Sequence, residues 1–547
     1  MALTTAPLSD EPSVKAAISL QDGHIPFFLR IGFVGHRSVS GDPELLVSIR
    51  QTLSHLGESV RASSGQDLDI VYVAITAMAD GADRLFARQV LEAGGMVEAI
   101  LPMPEASYEE DFNAESLVEF RELLAKASRT QISGATPHDE AGRAESYRRA
   151  AVRIIDSCDV LVAIWDGLPA GGVGGTAESI EYARESRRPM AIIDSNSPLA
   201  ASLDWPLLHA QHEASWICSE NKVRIGQHIR ARAQLQADNE LVPLGVDLSP
   251  EVAQLRAYIA PYLVRADSLA VSAQRRFLIW SRSIYVLSAL SSASILAQVL
   301  FASADPLWAL PELICLIAIG IAVAAVKFRH LHERWIGQRN FAESIRALFY
   351  LGALGVRPEF SSLGTADIDN MRFSWTERAL YGISLGLPAV GTANVESEAM
   401  IHLVLEGWLI KQRDYFRTRA QRLLSRERRI TKAIFACFSV TVVLVLDHVL
   451  DFKFERGLLA KLVVMLTASL PILGGALSAI RSEQRYEQHA ARYWSVADSL
   501  DTIIGEISKS SEWSHLRRNL VKAGSLLQTE SKEWFGIVKY VDVELAA

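Results

Sequence analysis

The chain is poor in cysteine, with only four, at Cys158, Cys218, Cys315 and Cys437. None belongs to a C-x-x-C pair, and Cys315 and Cys437 lie within apolar runs. This number and spacing exclude a disulfide framework and a structural zinc site. The histidines also lack carboxylate or cysteine partners at metal-ligand spacing, so we expect no metal centre.

A basic excess is missing as well. The formal net charge is −8 at pH 7, which is opposite in sign to the charge of proteins dedicated to nucleic acids, so no nucleic-acid partner is expected. The polar segment Met1–Gly23 contains no apolar core of the kind that a cleavable signal peptide needs. We therefore expect the soluble parts of the chain to lie in the cytoplasm.

Long apolar runs are absent from the first half of the chain but recur in the second. Four runs of about 20 residues are each long enough to cross a hydrocarbon core of roughly 30 Å. They lie at Ser283–Ala302, Leu307–Val326, Ala433–Leu450 and Leu458–Ile480. The links Ser303–Pro306 and Asp451–Gly457 are so short that each pair of runs is predicted to form an antiparallel hairpin in a lipid bilayer.

Basic residues predict the orientation of these hairpins. Lysine and arginine gather at the ends away from the tips, for example at Arg275 and Arg276 before the first run and Lys327 after the second. By the positive-inside rule, both tips face outward. The expected location is therefore the inner (cytoplasmic) membrane of the cell, with multiple spans and with the soluble domains and both termini cytoplasmic.

The two hairpins read as copies of one unit. Each is followed by a charged helix, and the phrase Ala342–Ile345 (AESI) matches Ala497–Leu500 (ADSL). This half resembles the SLATT family, two-helix membrane modules described as pore-forming effectors in bacterial conflict systems. The resemblance covers roughly Glu251–Tyr350 and Met400–Ser510. It implies a membrane effector that assembles as a homo-oligomer.

Between Phe27 and Asp194, short apolar runs alternate with helix-like stretches, a pattern typical of a Rossmann-like α/β domain with a parallel sheet. The predicted strands are Leu29–Val34, Ile70–Ile75, Met96–Leu101, Val160–Trp165 and Met190–Ile193. The predicted helices are Pro43–Arg61, Ala82–Ala93, Tyr108–Ala127, Arg143–Asp156 and Ala177–Arg187. Open α/β sheets bind ligands beyond the carboxyl ends of their strands, where this sequence concentrates glycines and charges.

The first predicted strand ends in Gly35, His36 and Arg37. The glycine would let the backbone approach a ligand, and the arginine fork would hold a phosphate, although an ordinary turn with a surface arginine fits equally well. After the second strand come Asp80, Gly81 and Asp83. Asp80 is predicted to cap the next helix, which would leave the amides of that helix start facing a ligand.

A glycine-rich phrase, Gly171–Glu178, follows Asp166 and precedes a helix. Such a turn presents backbone amides and a positive dipole end to an anion. It is neither a P-loop nor a dinucleotide fingerprint, because it lacks the lysine and the spacing. Its candidate ligand residues are Gly172, Gly174, Gly175, Thr176 and Glu178.

Two of these residues have a second interpretation. Thr176 would donate its hydroxyl to a phosphate and Glu178 would accept a ribose hydroxyl, or the pair would serve only as the cap and the first-turn acid of the helix. Four glycines exceed what a cap needs, which favours binding.

Together with Ile31–Arg37, Ala79–Ala87, Ile100–Phe112 and Ala163–Ala183, these phrases resemble the SLOG superfamily of Rossmann-like domains that bind nucleotides or their derivatives. The resemblance implies a nucleotide-type small molecule as the partner and no separate cofactor. Lonely Guy enzymes of this superfamily carry P-G-G-x-G-T-x-x-E, whose glutamate serves catalysis. Here the proline is absent and an extra glycine precedes Thr176, which favours binding over catalysis.

Two functions follow. The first is a sensor-effector, in which a nucleotide-derived signal biases the membrane hairpins. The alternative is a membrane-anchored hydrolase of nucleotide N-glycosidic bonds, with Glu178, Asp166, Asp83 and Arg37 as its candidate catalytic groups. A transporter fits least, because the runs lack the interruptions that midplane sites require.

The predicted organisation has six segments. They are a flexible N-terminus (1–26), a nucleotide-binding domain (27–222), a linker with a juxtamembrane helix (223–280), a first membrane hairpin with its cytoplasmic helix (281–350), a linker (351–399) and a second hairpin with flanking cytoplasmic helices (400–547). Within the second linker, Tyr381–Ala393 is apolar but interrupted by glycines and a proline, so it is predicted as a loop.

Overall fold

The chain forms two compact units in a computed structural model. One unit comprises Met1–Arg224 and Arg357–Pro388, and the other comprises Ile225–Val356 and Ala389–Ala547. The structure describes residues 23–37, 39, 43–64, 67–169, 174–198, 201, 203–242, 248–301, 306–356, 374–388, 390, 398–449, 458–509 and 513–538. The hairpin tips, Gly172 and nearly all of the predicted flexible N-terminus lie outside these residues.

The first unit is built on a six-stranded, all-parallel sheet of order β4-β3-β2-β1-β5-β6. The strands are β1 (Phe27–Gly35), β2 (Ile70–Thr76), β3 (Met96–Leu101), β4 (Arg129–Ile132), β5 (Val160–Trp165) and β6 (Met190–Asp194). Helices cover both faces, so the central strands are mainly apolar. The predicted α/β class is confirmed. Of the six strands, only β4 was not predicted from the sequence; it is a short strand of mixed polarity at the edge of the sheet.

The helices of this unit connect and cover the strands. They are α1 (Pro43–Ser64), α2 (Ala82–Glu92), α3 (Glu105–Glu109), α4 (Ala114–Lys126), α5 (Glu140–Ser157), α6 (Thr176–Glu185), α7 (Leu208–Lys222) and α12 (Ser374–Leu385). Side chains of α5, α6 and α12 pack into one apolar core against the sheet. On β1, Phe33 stacks on Phe86 of α2 with ring centroids 4.3 Å apart.

The single helix predicted over Tyr108–Ala127 is wrong, because the chain turns between α3 and α4. The side chain of Asn113 accepts a hydrogen bond from the Ser116 amide at 2.9 Å and so caps a new helix start. The turn fixes where Tyr108 and Asp111 lie, which matters for the site described below.

The loop predicted at Tyr381–Ala393 is also wrong over its first residues, because α12 continues to Leu385. Gly382 is the reason that a glycine-rich stretch stays helical here. A Cβ atom at this position would come within 2.0 Å of the Phe28 ring, so the glycine permits close packing on β1 rather than a break. A segment predicted as a linker therefore contains a helix of the α/β unit.

The second unit is helical. Its helices are α8 (Gln227–Leu241), α9 (Pro250–Phe301), α10 (Leu310–Phe328), α11 (Leu331–Ala353), α13 (Glu398–Val404), α14 (Ile410–Val449), α15 (Leu458–Gln484), α16 (Tyr486–Ile507) and α17 (Trp513–Val538). A π-helical turn, Leu405–Leu409, joins α13 to α14.

Four stretches of helix in the described part of this unit are long and apolar enough to cross a membrane, as a multi-pass membrane protein requires. Their apolar side chains point outward: Val286, Ile314, Phe435 and Val443 are among the exposed ones. Exposed apolar area on this scale is unfavourable in water, and a hydrocarbon environment removes that cost.

The backbone repeats after each hairpin. The helix following the first hairpin begins after His330, and the helix following the second begins after Arg485; both residues adopt positive φ, at 47° and 40°. The matching phrases Ala342–Ile345 and Ala497–Leu500 lie at the same distance beyond these breaks. A left-handed residue that is not glycine is uncommon, so its recurrence at matching positions supports the duplication read from the sequence.

The two copies differ in their charges. In the first, Arg346 of α11 pairs with Asp267 of α9 at 3.3 Å. In the second, the matching position of α16 is Asp501, which pairs with Arg413 of α14 at 3.2 Å and also with Arg417. The sign is reversed at both ends of the pair, so each trailing helix is complementary to the leading helix of its own copy.

Candidate ligand site at the carboxyl edge of the sheet

The loops after β1, β2 and β5 lie side by side because their strands are neighbours in the sheet. The backbone carbonyl of His36 accepts a hydrogen bond from the Ala82 amide at 3.2 Å. Gly81, with φ 75°, lies against this turn, where a Cβ atom would come within 2.3 Å of the Arg37 carbonyl. Gly81 therefore serves the close approach of two loops.

His36 and Asp166 join the first and fifth strand ends. The His36 Nε2 atom lies 3.1 Å from Asp166 Oδ1 and 3.3 Å from the Asp166 amide nitrogen. A hydrogen bond from the Leu168 amide, with a smaller effect of His36, lowers the pKa of Asp166. Of the predicted site residues, the structure brings these two into direct contact.

Asp80 does not cap α2, which corrects the prediction. The residue before the helix is Gly81, and no side chain caps it. The carboxylate of Asp80 instead lies 2.8 Å from Arg84 Nη1 and accepts a hydrogen bond from the Ser116 hydroxyl. The buried Arg84 guanidinium attracts this carboxylate more strongly than a neutral amide would.

Asp83, in the first turn of α2, bonds back to the loop that precedes the helix. It accepts hydrogen bonds from the Thr76 hydroxyl at 2.7 Å and the Ala79 amide at 3.3 Å. Burial raises its pKa to about 6, although both hydrogen bonds oppose the rise. Asp83 thus organises the turn after β2 while carrying a carboxyl that titrates near neutrality.

We expect this shift to appear in the pH dependence of folding. The folded pKa lies above the unfolded one, so the folded unit binds more protons between them, and its stability falls as pH rises from about 4 to about 6. The loss amounts to about 3 kcal/mol. Asp83→Asn should flatten this slope, measured as hydrogen exchange of β1 and β2 peptides in the full chain. Identical pH profiles for the two proteins would contradict the assignment.

Arg84 is the buried cation of the site. Its Nε donates to the Met78 carbonyl at 3.2 Å, and its Nη1 donates to the Ser116 carbonyl at 2.7 Å. The guanidinium carbon lies 4.5 Å from the centre of the Phe112 ring. The Nη2 atom is buried, and no described residue forms a hydrogen bond with it. A buried donor in this state is costly, and a bound anion would satisfy it.

Other unsatisfied polar atoms surround the same place. The hydroxyls of Tyr108 and Tyr147 and the Oδ2 atom of Asp111 are buried, and within the described part of the chain they have no hydrogen-bond partner. The two tyrosine rings lie 6.1 Å apart. The guanidinium carbon of Arg37 lies 5.2 Å from the centre of the Tyr147 ring, and its Nη2 lies 3.9 Å from Asp111 Oδ2. Native structures rarely leave several such atoms together, so this cluster is a candidate site for a polar ligand.

The glycine-rich turn reaches the same tyrosine. Gly174 has φ 79°, and a Cβ atom there would come within 2.9 Å of the Tyr147 Cβ atom. Its amide donates to the Oε2 atom of Glu178 at 2.5 Å. The N-cap residue of α6 is Gly175, so Thr176 is the first helical residue rather than the cap. The Glu178 carboxylate thus serves as an acid of the first turn that holds the loop.

The structure brings six of the predicted site residues together. Gly35, His36 and Arg37 meet Gly81 and Asp83 across the β1–β2 edge, and Asp166 joins them from β5. Sequence reasoning missed four contributors, Arg84, Tyr108, Asp111 and Tyr147. The first three lie within phrases singled out for the family resemblance, and Tyr147 lies in a predicted helix. The sequence pattern did not indicate that their side chains point toward the site.

Neither a protein-family model nor a curated protein matches this chain. Among the residues that the structure describes, no group of three or more histidine, cysteine or acidic side chains could hold a metal ion. What the site offers chemically is therefore two guanidinium groups, two tyrosine hydroxyls and backbone amides. These groups suit a phosphate attached to a ring that stacks on an aromatic side chain.

Proposed function

We propose that the protein senses a nucleotide-derived small molecule through its α/β unit and responds by perturbing the membrane through its apolar hairpins. The observation that carries the proposal is the cluster of buried, unsatisfied polar atoms around Arg84, Tyr108 and Tyr147. A ligand with a phosphate and an aromatic base would complement it. The helical unit, with its four apolar spans, is the responding part.

We also propose an orientation of the chain in the membrane, a homo-oligomeric assembly and a role in bacterial defence. The basic residues next to the spans favour a cytoplasmic α/β unit in the inner membrane of a bacterial cell. The SLOG and SLATT resemblances, read from the sequence phrases, favour a pore-forming effector used in defence against viruses. Paired hairpins in several copies of the chain would line the pore, which makes the assembly a homo-oligomer.

The alternative function is the anchored hydrolase, and one observation favours it. The Asp83 carboxyl has a pKa of about 6, a value suited to a general acid at neutral pH. Against it, Asp166, Asp83 and Glu178 each hold a loop through a local contact. Four spans also exceed what one anchor needs. The sensor function therefore explains more features of the chain, in particular its four apolar spans, than the hydrolase does.

The test uses the full chain in dye-loaded liposomes with a panel of nucleoside monophosphates, dinucleotides, nucleotide sugars and cyclic nucleotides. We expect one class to release the dye while the ligand stays intact. Arg37→Gln should weaken binding about 10- to 100-fold, because it removes a charge-assisted contact. Arg50→Gln, which removes an exposed arginine of α1, should leave binding and release unchanged.

Tyr147→Phe separates binding from folding. Its hydroxyl has no hydrogen-bond partner among the residues that the structure describes, so removing it should not lower stability, yet it should weaken ligand binding about 3- to 10-fold. Gly174→Val is a poorer variant, since it would strain the backbone and crowd Tyr147 with or without ligand. If the ligand is hydrolysed while the liposomes retain their dye, the hydrolase function is favoured over the sensor function. No binding across the panel would overturn both.

A further inference from the structure

The helical unit contains a cavity of about 420 Å³ that takes no part in the function proposed above. Its walls come from both copies of the repeat. Helices α9 and α11 of the first copy face the π-helical turn, α14 and α16 of the second. The volume falls within the range of small-molecule sites in proteins.

The walls are rich in aromatic rings. Trp335 of α11, Trp408 of the π-helical turn, Tyr415 and Phe416 of α14 and Tyr493 of α16 all line the cavity. Aromatic rings from opposite sides offer flat apolar surfaces, which favour a planar ligand over a branched aliphatic one.

The charges of the lining leave a positive surplus. Arg339 and Arg346 are matched by Glu343 and by Asp267 behind it. Arg419 of α14 also lines the cavity, and it forms no ion pair with any residue that the structure describes. A guanidinium group without a counter-charge beside aromatic walls favours an anionic group on the ligand.

The backbone is irregular at this cavity. The π-helical turn contributes Gly407 and Trp408 to the lining, and π-helical turns occur frequently at functional sites. The turn is held from α11, because the Tyr350 hydroxyl donates to the Gly407 carbonyl at 2.9 Å. The rings of Tyr350 and Trp408 also stack, with centroids 5.0 Å apart and 7° between their planes. The turn therefore has a fixed shape next to the cavity.

We propose that this cavity binds a small planar aromatic anion, such as a nucleoside monophosphate or an aryl phosphate. The ring lies among the aromatic walls and the anion lies on Arg419. Because the ligand touches helices of both copies, it holds the two hairpin repeats in one arrangement. This site is separate from the one in the α/β unit and does not depend on the proposed sensor function.

Photolabelling of the full chain in detergent tests the proposal. The probe is 8-azidoadenosine 5′-monophosphate, and labelled peptides are located by mass spectrometry. We expect label on peptides that contain Tyr415 or Tyr493. Adenosine monophosphate and phenyl phosphate should protect these peptides, whereas adenosine and inorganic phosphate at equal concentration should not, because each lacks one half of the recognised chemistry.

Variants on one helix supply the control. Arg419→Gln should reduce labelling of these peptides about tenfold or more, and Arg419→Lys should restore part of it. Arg422→Gln removes an exposed arginine of the same helix outside the lining, so it should label like the wild type. Equal labelling of Arg419→Gln and wild type, or equal protection by adenosine, would overturn the proposal. Label on peptides with Tyr108 or Tyr147 reports the α/β site independently.

Discussion

Replacing Arg378 by methionine is expected to unfold or severely destabilise the α/β unit. Arg378 of α12 is fully buried and binds Asp159 in a bidentate pair, with Nη1–Oδ2 and Nη2–Oδ1 distances of 2.5 and 2.8 Å. It also contacts the carboxylate of Glu213 and donates to the Phe28 carbonyl at 2.9 Å. One side chain thus satisfies groups from β1, from α7 and from the turn before β5.

The electrostatics explain the size of the effect. Burial alone would raise the pKa of Asp159, but Arg30 and Arg378 outweigh it and hold that pKa far below its usual value. Removing Arg378 leaves Glu213 buried without its guanidinium. Breaking a buried ion pair in this way costs about 3–5 kcal/mol. For a unit of this size, the loss corresponds to a melting temperature lower by roughly 10 °C.

The measurement is thermal unfolding of the full chain in detergent, with hydrogen exchange of β1 peptides to identify the unit. Adding Glu213→Gln to Arg378→Met should recover part of the lost melting temperature, because it removes a buried carboxylate that no longer has its arginine. Arg121→Met breaks an ion pair with Glu109 on the surface, so its melting temperature should stay close to that of the wild type. A wild-type melting temperature for Arg378→Met would show that the network contributes little.

The strands could be predicted because burial leaves a local signature. Five of the six strands consist largely of apolar residues and lie between turns, so their pattern identifies them without any tertiary information. Strand β4, RTQI, carries no such signature, since three of its four residues are polar and it lies at the sheet edge, where Thr130 and Ile132 are exposed. The hairpins were predictable for a similar reason, because a span must be apolar over a fixed length.

Contacts between distant parts of the chain left no local signature. Arg378 and Asp159 lie in different segments of the sequence, and the ion pair between them and the packing of Gly382 on Phe28 appear only once the chain is folded. The candidate site was likewise only partly predictable from local patterns. Loop residues such as His36 and Asp166 could be placed by topology alone, because strand ends meet at one edge. Tyr108 and Tyr147 could not, since their direction depends on how the helices that carry them pack.

A fragment of residues 27–222 is expected to fail to fold stably by itself. Without α12, Asp159 keeps its pair with Arg30 but loses Arg378, and Glu213 loses the same guanidinium. The buried Glu98 also loses its hydrogen bond from the Tyr381 hydroxyl. The apolar cover of Phe28 is lost as well. These losses exceed about 3–5 kcal/mol, which is a large part of the stability of an ordinary domain.

The rescue experiment joins residues 374–388 to the end of the fragment through a long glycine–serine linker. The joined protein should be monomeric and melt cooperatively, whereas the fragment alone should aggregate or exchange its amides without protection. Two variants of the joined helix serve as controls. Arg378→Met should abolish the rescue through charge, and Gly382→Val should abolish it through the clash with Phe28. A fragment that melts as high as the joined protein would make α12 dispensable.

The same result bears on how a signal would leave the α/β unit. In the sequence, α12 lies between the first membrane hairpin and the second, so the chain passes from one hairpin into the α/β unit and then on to the other. Strand β1 carries Arg30 and Phe28 near one end and leads into Arg37 at the other. A ligand held by Arg37 can shift the hairpins only if its affinity depends on how α12 and β1 are arranged. Under the proposed function, ligand affinity should therefore differ between the wild type and Arg378→Met protein that remains folded, even though Arg378 belongs to the buried network of α12 and not to the candidate ligand site.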